Sequence, residues 1–237
     1  MREIPPKDYH LHIPHDAEDD SAIEQTEKDI AFFEKQIISI HHIMISKGYL
    51  PSLDAIRRAA EEVDGLFDAG QLPADFPEFL QGRLPEYGER RVLAVEEVFR
   101  EMDFVNAEDL QKAPEEIETS PSERDVLSPV YTPEVDAATY PGPSYVVGDR
   151  VHVAAEVKPG HIRVPAYLLG KPGKISQFQG MFLNPEEVAH FRKTVVRLPL
   201  YLVEFDFVDV WEDACPERCI YDKLRAEIYE PWLFQPS

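Results

Sequence analysis

The stretch YLVEFDFV, residues 201–208, divides its side chains between the two faces of an extended chain. Successive side chains of a β-strand point to opposite faces, so every second residue lies on the same side. One face carries only apolar and aromatic residues, and the other carries two acids. The two sets are Tyr201, Val203, Phe205 and Phe207, and Leu202, Glu204 and Asp206. The pattern predicts a half-buried strand, which places a sheet in the C-terminal part of the chain.

Shorter segments on both sides of this strand carry further strand and turn signals. VVGDRVHVA, residues 146–154, combines a Gly-Asp turn with β-branched alternation, and AEIYEPWLF, residues 226–234, predicts another apolar strand or edge. KPGKI and QGMFLNP, residues 171–175 and 179–185, predict additional turns. Short strands separated by turns predict a small open barrel over residues 144–237.

The N-terminal part has helical periodicity instead. Apolar residues spaced three or four apart predict a helix over residues 21–47, a second that begins at residues 51–52, and a third over about residues 87–102. Gly48 is expected to cap the first helix. The residues predicted to face inward are Ile30, Phe33, Ile37, Ile40 and Met44 in the first helix, Leu53, Ile56, Ala60 and Val63 in the second, and Val92, Val95, Phe99 and Met102 in the third.

Residues 113–143 separate the two parts. They contain six prolines and no helical or strand period, which predicts a linker. The segment is longer than most connections inside a compact domain, so we expect it to separate two units or to wrap a partner. The predicted organisation is α+β, with a helical domain and extended arm at residues 1–112, an acidic Pro-rich linker at 113–143, and the barrel at 144–237.

The composition excludes some classes of protein. The 237 residues carry a formal charge of -21, from 24 basic and 45 acidic side chains, and such a chain repels the phosphates of nucleic acids. No apolar run approaches the roughly 20 residues of a membrane span, and the first residues do not resemble a secretion signal. Two cysteines are too few for a disulfide framework, which fits a reducing compartment. We expect a cytoplasmic protein that binds neither nucleic acid nor membrane.

Histidines and cysteines give weak signals for metal binding. His10, His12 and His15 could seat a metal, but no predicted framework fixes them, so a solvated arm is the favoured interpretation. Cys215 and Cys219 lie in CPERC without further soft ligands nearby, which favours an incidental role over a redox pair. His41 and His42 lie mid-helix. One of them must face inward or toward a partner, and an interior histidine is the favoured interpretation.

The arginines carry a stronger signal. GHIRVPAYLLGK, residues 160–171, places Arg163 among apolar residues, prolines and glycines. At 100° per residue, Arg57 and Arg91 lie at the edges of the predicted buried helix faces, whereas Arg58 and Arg90 are expected in solvent. An edge arginine can extend along apolar surface or reach an anion at an interface. Either these arginines form one anion-facing set, or they make ordinary ion pairs with the many acids of the chain.

Several segments, in order along the chain, resemble the β subunit of nitrile hydratase. The C-terminal segments are VGDRV, GHIRVPAYLLGKPGKI, YLVEFDFVDVW and IYEPWL, and the helical ones are KGYLPSLDAIR and EYGERRVLAVEEVFREMDFVNAEDL. The resemblance covers most of the chain. It implies an SH3-like C-terminal barrel and a hydro-lyase, inactive alone, that converts nitriles to amides. The partner it implies is an α-type subunit, in a heterodimer or possible heterotetramer.

The resemblance also implies where the metal lies. The α-type partner carries a non-corrin cobalt or non-haem iron in a cysteine claw, two of whose cysteines are oxidised, and this chain binds no metal itself. The family's two claw-binding arginines fall on Arg57 and Arg163, which would hydrogen-bond the oxidised sulfur groups. Arg163 is then expected to point at another chain. Family positions that line the substrate pocket fall on Tyr87, Arg91 and Ile38.

Departures from the family pattern leave alternatives open. Many members have aromatic residues where this chain has Ile38 and Arg91, and an arginine where it has Leu169. The N-terminal part also resembles the β subunit of thiocyanate hydrolase, through IPHD, EKDIAFFEKQ and EYGERR. An extra arginine in the pocket would suit an anionic substrate such as thiocyanate. A third possibility is a non-catalytic activator that helps load metal into the α-type subunit.

Overall fold

The chain forms two compact units, here called the helical unit and the sheet unit. The helical unit comprises the residues before 133 together with 189–192, and the sheet unit comprises 133–188 and the residues from 193 onward. The computed structural model describes residues 31–50, 53–68, 70, 82–83, 85–106, 108, 131–136, 140–155 and 163–236. The predicted arm and most of the predicted linker lie outside these residues, so the boundaries at 112 and 144 remain predictions.

Three long helices build the helical unit: α1, Phe32–Ser46; α2, Leu53–Asp68; and α3, Tyr87–Glu101. The predicted start of the first helix lies outside the described residues. At its other end Gly48 has φ of +75°, and the next residue, Tyr49, donates its N–H to the carbonyl of Met44 at 2.9 Å. This is a C-cap in which glycine adopts the left-handed conformation at little cost, as predicted.

The core of the helical unit lies between α2 and α3 and includes small residues. Its buried members are Leu50, Ala55, Ile56, Ala59, Ala94, Val95, Val98, Met102 and Phe191. Phe191 belongs to the short segment 189–192, and its ring meets that of Tyr131 edge-on at 5.5 Å. Phe191, which lies far along the chain from α1, α2 and α3, therefore takes part in this core.

The described part of the sheet unit contains six strands in a single sheet, with one short α-helix wholly inside the unit. The strands are β1, Glu134–Asp136; β2, Arg150–Val153; β3, Pro172–Leu183; β4, Thr194–Asp206; β5, Lys223–Tyr229; and β6, Leu233–Phe234. The helices are α4, Pro185–Ala189, which ends in the helical unit, and α5, Phe207–Trp211. The strand order is β1-β4-β3-β2-β6, and β5 also pairs with β4.

The strand β4 is the centre of the sheet unit. Tyr201, Val203 and Phe205 are fully buried, which confirms the alternation predicted for this segment. Phe207 does not continue the strand, because it begins α5. The buried residues around β4 include Val151 and Val153 from β2, as the predicted strand pattern requires.

Two predictions for this region are wrong or incomplete. KPGKI and QGMFLNP do not form turns, because almost all of both segments lies within β3. Gly173 is required by packing, since a Cβ there would lie 2.6 Å from Val203 Cγ1. The register of β3 against β4 shifts near Gly180, which has φ of +126°, so this glycine accommodates a bulge and not a turn.

The described strands form an open sheet, so the predicted barrel is not confirmed. Pairing ends at β6 on one side and at β1 and β5, which share β4, on the other. The strand β1 lies inside the predicted linker and pairs in parallel with β4, Val135 opposite Val195. The α+β class is confirmed. In the described part of the chain, no helix combines the length and apolar character that crossing a membrane requires.

Candidate functional site

A cavity of about 340 Å³ opens among the three helices of the helical unit. Its polar wall contains Arg57, Arg90 and Arg91, together with Tyr87 and His41. Two carboxylates and three apolar side chains complete the described lining: Glu61, Asp64, Leu53, Ile56 and Ala60. Ile38, predicted to line a substrate pocket, is not among the described residues of this lining, and its role remains a prediction.

The face that α2 buries agrees only in part with the predicted one, because Ile56 is the one fully buried member of the four residues predicted to face inward. The most buried apolar residues of α2 are Ala55, Ile56 and Ala59, rather than the stripe that runs through Leu53 and Ala60. Because Ala55 and Ala59 are small, the core side of the helix also has space for a long polar side chain. Leu53 and Ala60 are thereby turned toward the cavity and form part of its wall.

Arg58 occupies that space on the core side of α2, and its predicted exposure to solvent is wrong. Its side chain is only 1% exposed and donates from Nη1 to Glu62 Oε2 at 2.8 Å and to Glu101 Oε1 at 3.1 Å. Nη2 donates to the other oxygen of Glu101, and Nε donates to the Ala189 carbonyl at 2.9 Å. Two carboxylates therefore compensate the buried charge. A helical wheel that counts only apolar residues cannot detect such a pair.

Arg57, the next residue toward the N-terminus, lies at the rim of the cavity. Its side chain is 45% exposed, and its Nη1 lies 3.5 Å from Asp54 Oδ1, which is long for a hydrogen bond. Its predicted position at the edge of the buried face agrees with this placement. The guanidinium is held in the neighbourhood of one carboxylate but retains hydrogen-bonding capacity toward the cavity.

Arg90 is directed inward against α2, so its predicted exposure is also wrong. Its Nε lies 2.8 Å from Asp64 Oδ1, whose side chain is 5% exposed. The two atoms are in ionic contact without hydrogen-bond geometry. Burial raises the pKa of Asp64 to about 6, and the neighbouring Arg90 only partly opposes this rise. Asp64 was not predicted, although it lies two helical turns after Arg57 and so on nearly the same face.

Arg91 has neutral partners. Its Nη1 donates to His41 Nδ1 at 2.8 Å, its Nη2 donates to the Tyr87 hydroxyl, and its Cζ lies 5.0 Å from the centre of the Tyr87 ring. His41 is completely buried, as expected for an interior histidine. Burial, together with the positive charges of Arg91, His42 and Arg57, lowers the pKa of His41 to about 4.

Arg163 belongs to the sheet unit. It is half-buried beside a small cavity of about 40 Å³ that is also lined by Asn184, Glu186 and Tyr229. The three residues that precede it in GHIRVPAY lie outside the described part of the chain. Of the three arginines predicted as an anion-facing set, Arg57 and Arg91 thus line one cavity, and Arg163 is placed in the other unit.

The described residues hold no group of three or more His, Cys, Asp or Glu side chains that could bind a metal ion. Cys215 and Cys219 are free thiols in a half-buried turn region after α5. His10, His12 and His15 lie outside the described residues, so the prediction of a solvated arm stays a prediction.

Comparison with known proteins connects these features to a family. Residues 133–235 match the family model described as nitrile hydratase beta subunit, C-terminal. This C-terminal region is similar to the members of that family. The predicted resemblance to nitrile hydratase β subunits is therefore confirmed, and Arg163 lies within the matched region.

Curated relatives extend the similarity beyond the C-terminal region. The chain is 28% identical over 183 residues to nitrile hydratase subunit beta of Pseudomonas chlororaphis, which covers 77% of this chain and 72% of that protein. It is 40% identical over 63 residues to the subunit beta of Rhodococcus erythropolis, covering 26% of this chain and 30% of that protein. Among solved structures, thiocyanate hydrolase from Thiobacillus thioparus matches with a TM-score of 0.37 and 22% identity, over 42% of this chain and 82% of that one.

Proposed function

We propose that this chain is the β-type subunit of a nitrile hydratase-like hydro-lyase, inactive without an α-type partner. The observation that carries the proposal is the similarity to a nitrile hydratase subunit beta over 183 residues, a length greater than either unit alone. Both units therefore take part in the match. We further propose a cytoplasmic location, an SH3-like fold for the C-terminal unit, and a heterodimer with the α-type subunit, with a heterotetramer as the alternative assembly.

In this proposal Arg57 and Arg163 hydrogen-bond the oxidised cysteine ligands of the partner's metal. A guanidinium keeps its charge at every physiological pH and can grip two oxygens at once, which suits sulfenate and sulfinate groups. Arg57 is half exposed at the cavity rim, and its contact with Asp54 is long, so its donors can reach an external oxygen. The same role is proposed for Arg163 because it lies within the region that matches the family model.

The other residues named for the site are proposed to line the path of the substrate. Cobalt or iron held by the partner supplies Lewis-acid activation of the nitrile or of water. Tyr87 and Arg91, which line the cavity, and Ile38 are proposed to bound the substrate path. The apolar part of the cavity wall, Leu53 and Ala60, offers a surface for the carbon chain of a nitrile.

An anionic substrate such as thiocyanate is the second candidate. The observation that favours it is the presence of three arginines in one cavity, one of which, Arg91, has only neutral partners among the described residues. A small anion would gain both charge attraction and hydrogen bonds there. The two candidates differ in the substrate and share the same partner subunit.

The test is co-expression with an α-type subunit in cobalt or iron medium, followed by assays of an aliphatic nitrile and thiocyanate. We expect a stable equimolar complex that forms amide from the nitrile. Thiocyanate turnover with little amide would support the second candidate. A partner that exchanges off during purification would contradict the subunit proposal and support an activator, whereas a stable complex inactive on both compounds would contradict both substrate assignments.

A further inference from the structure

Arg91 differs from the other two arginines of the cavity wall in the charge of its partners. The other two arginines of the wall have carboxylates close by: Arg57 has Asp54 at 3.5 Å, and Arg90 has Asp64 at 2.8 Å. Arg91 has His41 and Tyr87, neither of which carries a negative charge at neutral pH. Among the described residues, the groups that hydrogen-bond this guanidinium and set its position are therefore neutral.

The contact with His41 fixes the state of the imidazole. A guanidinium can only donate, so Nδ1 must be the acceptor and must lack a proton. The ring is then neutral, with its proton on Nε2. Nε2 is itself buried and has no hydrogen-bond partner among the described residues, as is also true of Arg91 Nε. Two buried donors thus lack partners next to the same cavity, where a buried donor normally finds one.

We propose that His41 is a positioning residue, whose neutral ring holds the Arg91 guanidinium at the cavity so that its charge remains available to a small monovalent anion. Tyr87 also fixes the position of the guanidinium, because its hydroxyl accepts a hydrogen bond from Arg91 Nη2 and its ring lies under the guanidinium. A carboxylate in place of His41 would position Arg91 equally well but would cancel its charge. In this proposal the neutral acceptor leaves the charge of Arg91 available to an anion in the cavity.

This inference rests on the proposed function, in which the cavity receives the substrate, but its test does not require the assembled enzyme. The full-length chain is titrated with thiocyanate at pH 7, and the dissociation constant is measured by calorimetry. Asparagine places its Oδ1 where histidine has Nδ1, so His41→Asn keeps the acceptor, whereas His41→Leu removes it. His42→Leu, at the exposed neighbouring position, is the matched control.

We expect His41→Leu to weaken thiocyanate binding by about tenfold or more, since a hydrogen bond to a charged group is lost. His41→Asn and His42→Leu are expected to bind within about threefold of the unchanged chain. Equal binding by His41→Leu and the unchanged chain would overturn the inference. Absence of thiocyanate binding by the unchanged chain would also overturn it. The proposed function is tested separately, by nitrile hydration in the co-expressed complex.

A spectroscopic measurement covers the case in which His41→Leu does not fold. Imidazole ¹⁵N shifts of the unchanged chain at pH 7 distinguish the two neutral tautomers from the protonated ring. We expect His41 to be neutral with the proton on Nε2. A proton on Nδ1, or a protonated ring, is incompatible with acceptance from Arg91 and would overturn the proposal.

Discussion

The two units both bury a charged side chain in a hydrogen-bonded network, but they surround it differently. In the helical unit, the cation Arg58 meets two carboxylates, Glu62 and Glu101. In the sheet unit, the carboxylate of Glu230, a residue 6% exposed, receives neutral donors: the hydroxyls of Tyr140 and Tyr201, and the backbone N–H and hydroxyl of Ser144.

The difference predicts how each network responds to damage. Removal of Arg58 would leave two buried carboxylates without their cation, a state that costs several kcal/mol. Removal of one donor to Glu230 would leave three others in place. In the charged network, removal of one group is therefore expected to cost most of the stability that the network contributes. In the network of neutral donors around one charge, removal of one donor is expected to cost only the stability of that hydrogen bond.

The largest effect is expected from Arg58→Met. The substitution keeps an apolar side chain of similar length but strands Glu62 and Glu101, so the helical unit should lose about 3–5 kcal/mol of stability. Hydrogen exchange followed by mass spectrometry reports the two units separately. The matched control is Arg57→Met on the exposed side of the same helix, with an expected change below about 0.5 kcal/mol. Equal protection in both variants would contradict the charged network.

The second effect concerns activity and compares one arginine from each unit. In the co-expressed complex, Arg57→Lys and Arg163→Lys should each reduce turnover by about 10- to 100-fold while the fold is retained, because lysine cannot grip two oxygens. Arg225→Lys, at an exposed position of β5, is the control and should leave turnover unchanged. An unchanged rate for Arg163→Lys would remove that residue from the site.

The third effect is a pH dependence carried by Asp64. Its pKa is raised to about 6 because burial disfavours the charged form. A raised pKa means that the group's stabilising contribution is complete below about pH 4 and is lost as the pH rises through about 6. Asp64→Asn should remove this loss, so its stability relative to the unchanged chain should rise by about 2 kcal/mol between pH 4 and pH 7. If the stabilities of Asp64→Asn and of the unchanged chain change in parallel between pH 4 and pH 7, Asp64 is not the source of the pH dependence.

The smallest effect is expected from Tyr201→Phe. The variant loses one of the donors to Glu230, which should cost the sheet unit about 1 kcal/mol at pH 7. Burial acts to raise the pKa of Glu230, but the hydrogen bonds from Ser144, Tyr201 and Tyr140 outweigh it and hold the pKa below its usual value. Stability from these bonds is present above about pH 4.5 and is lost as the pH falls, so the cost should shrink in acid.

The control for Tyr201→Phe is Tyr221→Phe, at a tyrosine that is 86% exposed and should tolerate the change within about 0.5 kcal/mol. A cost for Tyr201→Phe that stays constant from pH 7 to pH 3 would separate the hydroxyl from the ionised carboxylate. That result would leave only the contact between the Tyr145 N–H and the hydroxyl, at 3.2 Å, as the source of the effect.

The accuracy of the sequence interpretation also differs between the two units. In residues 201–206 of β4 every second residue is buried, because a strand that buries one face repeats with a period of two and large apolar side chains mark that face. In α2 the buried face contains the alanines Ala55 and Ala59 and an ion-paired arginine, so the predicted stripe through Leu53 and Ala60 suggested a core on another side of the helix. The helix and its length were predictable, but its orientation was not.

The site divides in the same way. Arg57 and Arg91 could be named from the sequence by their edge positions on helices and by the family pattern, and Tyr87 by the family pattern alone. The groups that contact Arg90 and Arg91, both on α3, come from other helices. Asp64 on α2 contacts Arg90, and His41 on α1 contacts Arg91. A contact between helices depends on how they pack, and no local spacing in the sequence encodes it.

The sequence by itself determined the class of elements in each part, the buried face of β4, the cap at Gly48 and the family of the C-terminal region. Each of these depends on neighbours within a few residues or on an ordered set of segments. Only the tertiary structure decided that Arg58 is buried, that Arg91 contacts His41 and Tyr87, and that Phe191 joins the helical core. Those features depend on pairs far apart in the chain, and their interactions become strong only when folding brings both members together in a low-dielectric interior.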